Sequence, residues 1–104
     1  MREEQEKVRE LIRTCHLETS ASARCLDLVS EVGEVAKELL KASDYGKEQV
    51  LAPTAETEGE LGDCLFSLLA LCESLDIDAK QALDGALEKY RTRWASRGSV
   101  GSGR

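Results

Sequence analysis

Two segments of this sequence carry acidic side chains at helical spacing, a pattern that suits metal and phosphate chemistry. At about 100° per residue of an α-helix, the acids of each segment fall within about 60° of one another and form one stripe. The earlier stripe comprises Asp27, Glu31, Glu34 and Glu38, and the later one comprises Glu56, Glu60 and Asp63, with Ser67 in the fourth position.

Like charges on one helix face repel, so each stripe should have a compensating partner. Lys37 and Lys41 lie near the earlier stripe, whereas residues 48–79 contain eight acids and no lysine or arginine. Mg²⁺ takes oxygen ligands, so a hard divalent cation is the simplest neutraliser of facing stripes. The alternative is a solvated acidic face, or salt bridges to the other helices.

A cluster of cations and aromatic residues ends the last predicted helix. Lys89 and Arg93 are four residues apart and could hold phosphate oxygens, while Tyr90 or Trp94 could stack on a nucleobase. The alternative is structural, since cations near a helix C-terminus complement the helix dipole and Trp94 could cover the core.

Apolar residues at helical spacing predict four helices that position these groups. Thr57 with Glu60, and Asp78 with Gln81, have the spacing of capping boxes. Residues 1–96 are therefore predicted to form one all-α domain with a four-helix bundle-like protomer, followed by a flexible Gly/Ser-rich tail over 97–104. The predicted helices are Glu3–Glu18, Ser20–Ala42, one from between Thr54 and Thr57 to Leu75, and Asp78–Ser96.

The third predicted helix has more apolar surface than a chain of 104 residues can cover. Its apolar positions span nearly half of the helix circumference. A second copy is the natural cover, so we expect a homodimer, or a dimer of dimers. These positions are Leu61, Cys64, Leu65, Leu68, Leu69, Leu71, Cys72 and Leu75, with Phe66 behind them.

Composition narrows the function classes. A net charge of -6 repels a nucleic-acid backbone, although metal could bridge the acids to a free nucleotide. No apolar run is long enough to cross a membrane. A structural zinc site is disfavoured, because the sequence has one histidine and no CxxC pair. The four cysteines lie in helical, partly apolar contexts, so they are predicted to be reduced core residues of a cytoplasmic protein. They are Cys15, Cys25, Cys64 and Cys72.

The stretches LDLVSEVGEVAKELLKASDYG and TEGELGDCLFSLLALCESLDIDAKQALDGALEKYRTRW resemble the MazG-type all-α nucleotide pyrophosphohydrolases. The family pattern is ExxE, a variable spacer, and ExxD. Here it stands as Glu31-x-x-Glu34 and Glu60-x-x-Asp63, with 25 residues between the two motifs. The resemblance covers about residues 20–94.

This resemblance implies a helical dimer or tetramer that hydrolyses a nucleoside triphosphate between the α and β phosphates, giving the monophosphate and pyrophosphate. It implies Mg²⁺, with Mn²⁺ as a substitute. The expected role is house-cleaning of the nucleotide pool, and control of a normal nucleotide pool is the alternative. The implied metal ligands are Glu31, Glu34, Glu60 and Asp63, and the implied phosphate contacts are Lys89 and Arg93, beside the stacking candidate Trp94. Hydrolysis also needs a general base, namely a carboxylate that metal does not fully occupy and that can accept a proton from the attacking water. Glu34 and Glu38 are the candidates.

Two alternatives remain. The chain could be a non-enzymatic helical dimerisation module whose acidic stripes bind a basic partner. It could also bind nucleotides without cleaving them. A Ser/His/Asp triad and a P-loop are excluded, because the single histidine, His16, stands near the end of the first helix and no glycine-rich phosphate loop occurs.

Overall fold

A computed structural model describes residues 1–49 and 54–102, and regular structure there consists of four helices and no strand. The all-α prediction is confirmed. Residues 103–104 of the predicted tail lie outside the described part. The helices are α1 (Arg2–Thr14), α2 (Ala21–Ala42), α3 (Ala55–Ser74) and α4 (Ala79–Arg97).

Side-chain caps begin α2, α3 and α4. The hydroxyl of Ser20 accepts the N–H of Ala23 at 3.1 Å, and the carboxylate of Asp78 accepts the N–H of Gln81, as its spacing predicted. The capping prediction for Thr57 is wrong, because Thr54 is the N-cap and its hydroxyl accepts the N–H of Thr57 at 3.2 Å. Thr57 is instead buried inside the first turn.

Left-handed residues other than glycine end the first three helices. In α1 the N–H of Leu17 reaches back to Ile12 O at 2.9 Å, and His16 has φ 56°. Asp44 and Asp76 occupy the equivalent positions after α2 and α3. This geometry satisfies the last free carbonyls of each helix. The predicted extension of α1 to Glu18 is therefore wrong, whereas α4 continues one residue beyond its predicted end.

Helices α2 and α3 form the main packed pair, α1 packs on α3, and α4 contacts α1 more than it contacts α2 or α3. Only Leu69 and Ala70 among the described apolar residues are fully buried. The radius of gyration is 16.6 Å, whereas a compact domain of about 100 residues has about 13 Å. The single chain is thus more open than a closed four-helix bundle.

Apolar side chains of α2 and α3 remain exposed in the single chain. The prediction that Cys15 and Cys25 are core residues is wrong, since both are exposed, although all four cysteines are free as predicted. No helix in the described ranges combines the length and apolar character needed to traverse a bilayer. The exposed leucines and valines are Leu26, Val29, Val32, Leu39 and Leu40 on α2, and Leu61, Leu65, Leu68 and Leu75 on α3 and its C-cap.

Candidate metal centre

The packing of α2 against α3 brings three carboxylates together. One oxygen each from Glu31, Glu60 and Asp63 can be chosen so that all lie within 4.8 Å of one another. Glu31 and Glu60 are partly buried, and Asp63 is exposed. The two acidic stripes therefore meet across the helix pair, and we call these three residues the carboxylate triad.

Helical periodicity explains why these acids face each other. On α2, Leu28 and Val35 lie three residues before and four residues after Glu31, and all three are partly buried. On α3, Thr57 and Cys64 occupy the corresponding places around Glu60, and both are at least partly buried. Residues three and four apart share one helix face, so each glutamate stands in the middle of a packed face.

The electrostatics of the triad are unfavourable for its charges. Partial burial raises the pKa of Glu60 above the ordinary value of a glutamate, and the charges of Asp63, Glu34, Glu31 and Glu38 raise it further, in that order. Within residues 1–49 and 54–102, no lysine or arginine forms an ion pair with a member of the triad. In the described part of the chain, the negative charges of the triad therefore have no basic partner within ion-pair distance.

Glu34 and Glu38 stand beside the triad without joining it. Glu34 is exposed, and its carboxylate is outside the group of oxygens that meet within 4.8 Å. Glu38 is partly buried and lies 3.6 Å from the ammonium of Lys41. Both carboxylates are still near enough to act on the pKa of Glu60. The structure therefore gathers three of the four predicted metal ligands.

The oxygen chemistry and spacing of the triad fit a hard divalent cation. Mg²⁺ binds oxygen at about 2.1 Å, so ligands on opposite sides of the ion lie about 4.2 Å apart. The carboxylate oxygens of the triad, within 4.8 Å of one another, are close to this spacing. Three carboxylates leave other coordination positions for water or phosphate oxygens.

The basic end of α4 belongs to a helix that contacts α1 more than it contacts α2 or α3. The ammonium of Lys89 lies over the ring of Tyr90, 5.1 Å from its centre. Arg93 donates to the backbone oxygen of Val100 at 3.2 Å. Trp94 is 64% exposed and does not cover a core within the chain.

Two buried polar residues, Arg24 and Gln5, were not predicted from the sequence. Arg24 is buried on the α2 face that carries Glu31, and its guanidinium donates to the backbone oxygen of Leu17. Its spacing of seven residues from Glu31 was a usable signal for this position. Gln5 is the buried residue of α1 and binds backbone groups more than 70 residues away. The sequence carries no signal for such bonds.

The MazG nucleotide pyrophosphohydrolase domain matches residues 19–97. The chain belongs to the MazG family. The resemblance inferred from the two acidic motifs is thereby confirmed, and the triad draws on both motifs of this MazG domain. Helix α1 and the residues just after it lie before the matched region.

One curated relative has 35% identity over 66 residues, namely the uncharacterized protein YpjD of Bacillus subtilis (strain 168). The match covers 64% of this chain and 60% of the relative, so it spans less than two thirds of that protein. No solved structure matches the chain.

Proposed function

We propose that this MazG protein is a Mg²⁺-dependent nucleoside triphosphate pyrophosphohydrolase that produces a nucleoside monophosphate and pyrophosphate. The observation that carries the proposal is the carboxylate triad, assembled from α2 and α3 within a MazG domain. The negative charges that surround Glu60 and raise its pKa support a cationic ligand. The substrate class follows from the family and from the need of a triphosphate for bound metal.

The triad, with Glu34 as a fourth ligand, would hold Mg²⁺. The bound metal would neutralise phosphate charge and lower the pKa of a water molecule. In the reaction, a water oxygen would bond to one of the two phosphorus atoms joined by the α–β bridging oxygen. The bond from that phosphorus to the bridging oxygen would break, the bridging oxygen would leave with the other product, and the water would lose a proton. Glu34 and Glu38 border the triad and are the candidate acceptors of this proton.

The end of α4 would supply the contacts to the rest of the substrate. Lys89 and Arg93 would bind phosphate oxygens, and the exposed ring of Trp94 would stack on the base. Because α4 contacts α1 more than it contacts α2 or α3, these contacts depend on how a second copy assembles with the first.

We further propose that the chain forms a homodimer or a dimer of dimers through the exposed apolar faces of α2 and α3. Val29 is 64% exposed and Leu26 is 71% exposed, on a surface that continues along α2. An apolar surface of this kind is favourable only when a partner covers it. The free cysteines, together with a nucleotide substrate, fit a cytoplasmic house-cleaning role.

Pyrophosphate release from a panel of canonical and modified nucleoside triphosphates tests the proposed activity. We expect turnover that requires Mg²⁺ or Mn²⁺. The turnover rate should fall by about a hundredfold or more in Glu60→Gln and in Asp63→Asn. Glu58→Gln removes a charge from an exposed site on the same helix and should leave turnover intact. A folded wild-type protein without turnover on any nucleotide would refute the activity. Tight nucleotide binding without product would then indicate a binding protein, and no binding would favour the interaction module.

A further inference from the structure

Gln5 connects α1 to the turn between α3 and α4 through both ends of its side-chain amide. The nitrogen donates to Ile77 O at 2.7 Å, and the oxygen accepts the N–H of Ala79 at 2.9 Å. The residue is only 6% exposed. Next to it, Arg2 pairs with Asp78 at 3.2 Å. One buried side chain thus binds the last turn residues and the first residue of α4.

This connection matters because α4 has little other support within the chain. The helix contains no buried residue, and α1 is the helix that it contacts most. At a rise of 1.5 Å per residue, Arg93 stands about 21 Å from Ala79 along the helix axis. A tilt of about 10° at the turn would move the end of α4 by about 3.6 Å, which is more than a hydrogen bond tolerates.

We propose that Gln5 is a positioning residue, which sets the direction of α4 and thereby places Lys89 and Arg93 on the substrate phosphates. The inference rests on the proposed function, because it assumes that these two cations bind phosphate. It adds a contribution from α1, which lies before the matched region of residues 19–97. The carboxylate triad stands on other helices and does not depend on this connection.

Glutamine suits the position because its amide supplies a donor and an acceptor at once. Methionine has a similar length and would make neither bond to the turn. Glutamate would keep the acceptor for the N–H of Ala79 but would lose the donor to Ile77 O. Gln5→Glu therefore removes one of the two hydrogen bonds, and Gln5→Met removes both. Gln81→Met is the matched control, since Gln81 is exposed on α4.

The test follows Ala79 amide hydrogen exchange and the fluorescence anisotropy of Trp94, the only tryptophan in the chain. In Gln5→Met we expect faster Ala79 exchange, lower Trp94 anisotropy, and KM for the triphosphate raised about tenfold with kcat changed less than about twofold. Mn²⁺ affinity, measured by calorimetry, should not change. Gln5→Glu should keep Ala79 protection and show a smaller rise in KM.

The inference is overturned if Trp94 anisotropy and KM stay at wild-type values in Gln5→Met, whether or not Ala79 exchange is faster. It is also overturned if Gln81→Met raises KM equally, or if kcat and Mn²⁺ affinity fall together with KM. If the wild-type protein has no turnover, the proposed function fails. Ala79 exchange and Trp94 anisotropy then still decide whether Gln5 restrains the motion of α4.

Discussion

Replacing Glu60 by glutamine should change the thermal stability of this protein in opposite directions with and without metal. In the metal-free protein, Glu60 is partly desolvated and meets the charges of Asp63, Glu34, Glu31 and Glu38. Glutamine keeps the shape and removes the charge, so the Tm of the metal-free variant should rise. With metal present, the same change removes one ligand from the triad.

The expected size of the metal effect follows from binding linkage. Free metal at about a hundred times its Kd stabilises the folded state by about 2.7 kcal/mol. For a chain of about 100 residues, each kcal/mol moves Tm by about 4 °C, which predicts a rise of about 10 °C in the wild-type protein. A hundredfold weaker Kd would leave a rise of about 2 °C in Glu60→Gln at the same metal concentration.

Differential scanning calorimetry of both proteins, with a chelator and with saturating Mg²⁺ or Mn²⁺, measures these shifts. Glu58→Gln is the matched control, because Glu58 is an exposed glutamate in the first turn of α3. Its removal takes away a favourable charge at the helix N-terminus and should lower Tm slightly in both conditions. The control should keep the full response to metal.

The Tm difference between Glu60→Gln and the wild-type protein should also depend on pH. Because the pKa of Glu60 is raised in the folded protein, the protonated side chain favours the folded state over the ionised one. This stability is fully present below the ordinary glutamate pKa, and it is lost as pH rises through the raised pKa of Glu60. The metal-free Tm difference between Glu60→Gln and wild type should therefore be small in acid and grow over that interval. If metal leaves the wild-type Tm unchanged, or if Glu60→Gln lowers the metal-free Tm, the electrostatic reasoning is refuted.

Two further predictions concern the packing of the chain. Val29→Glu places a charge on the apolar face of α2 and should convert the oligomer to a monomer, as measured by light scattering. Ser30→Glu places the same charge at an exposed polar position next to it and should leave the oligomer intact. Equal masses for the two variants would contradict the proposed interface. Leu69→Ala should lower the free energy of unfolding in urea by about 2–4 kcal/mol, because Leu69 is 3% exposed. A loss no larger than that of Leu83→Ala, which removes a half-exposed side chain on α4, would contradict this account of the core.

Much of the architecture was available from spacing alone. Four helices follow from apolar periodicity, and the caps at Ser20 and Asp78 lie at the predicted starts. The two acidic stripes, with the order of their motifs, pointed to the MazG family, which the match over residues 19–97 confirms. These properties are local, since each depends on residues within a few turns of one helix.

Which acids form the triad was decided only by packing. Acids three residues apart differ by about 60° around a helix, so an interface centred on Glu31 turns Glu34 outward. Across the interface, one carboxylate oxygen of Glu60 and one of Asp63 both come within 4.8 Å of an oxygen of Glu31. The angle between two helices sets this choice, and no spacing within one helix encodes it.

Local sequence patterns likewise did not predict the residues that end the helices or the hydrogen bonds between distant segments. His16 and Asp76 end helices in the left-handed conformation that sequence rules assign first to glycine. Gln5 binds backbone atoms of the α3–α4 turn, and backbone atoms are the same for nearly every sequence. The sequence by itself therefore determined the helices and their charged faces, whereas the tertiary structure decided which groups meet, because meeting depends on distances between segments far apart in the chain.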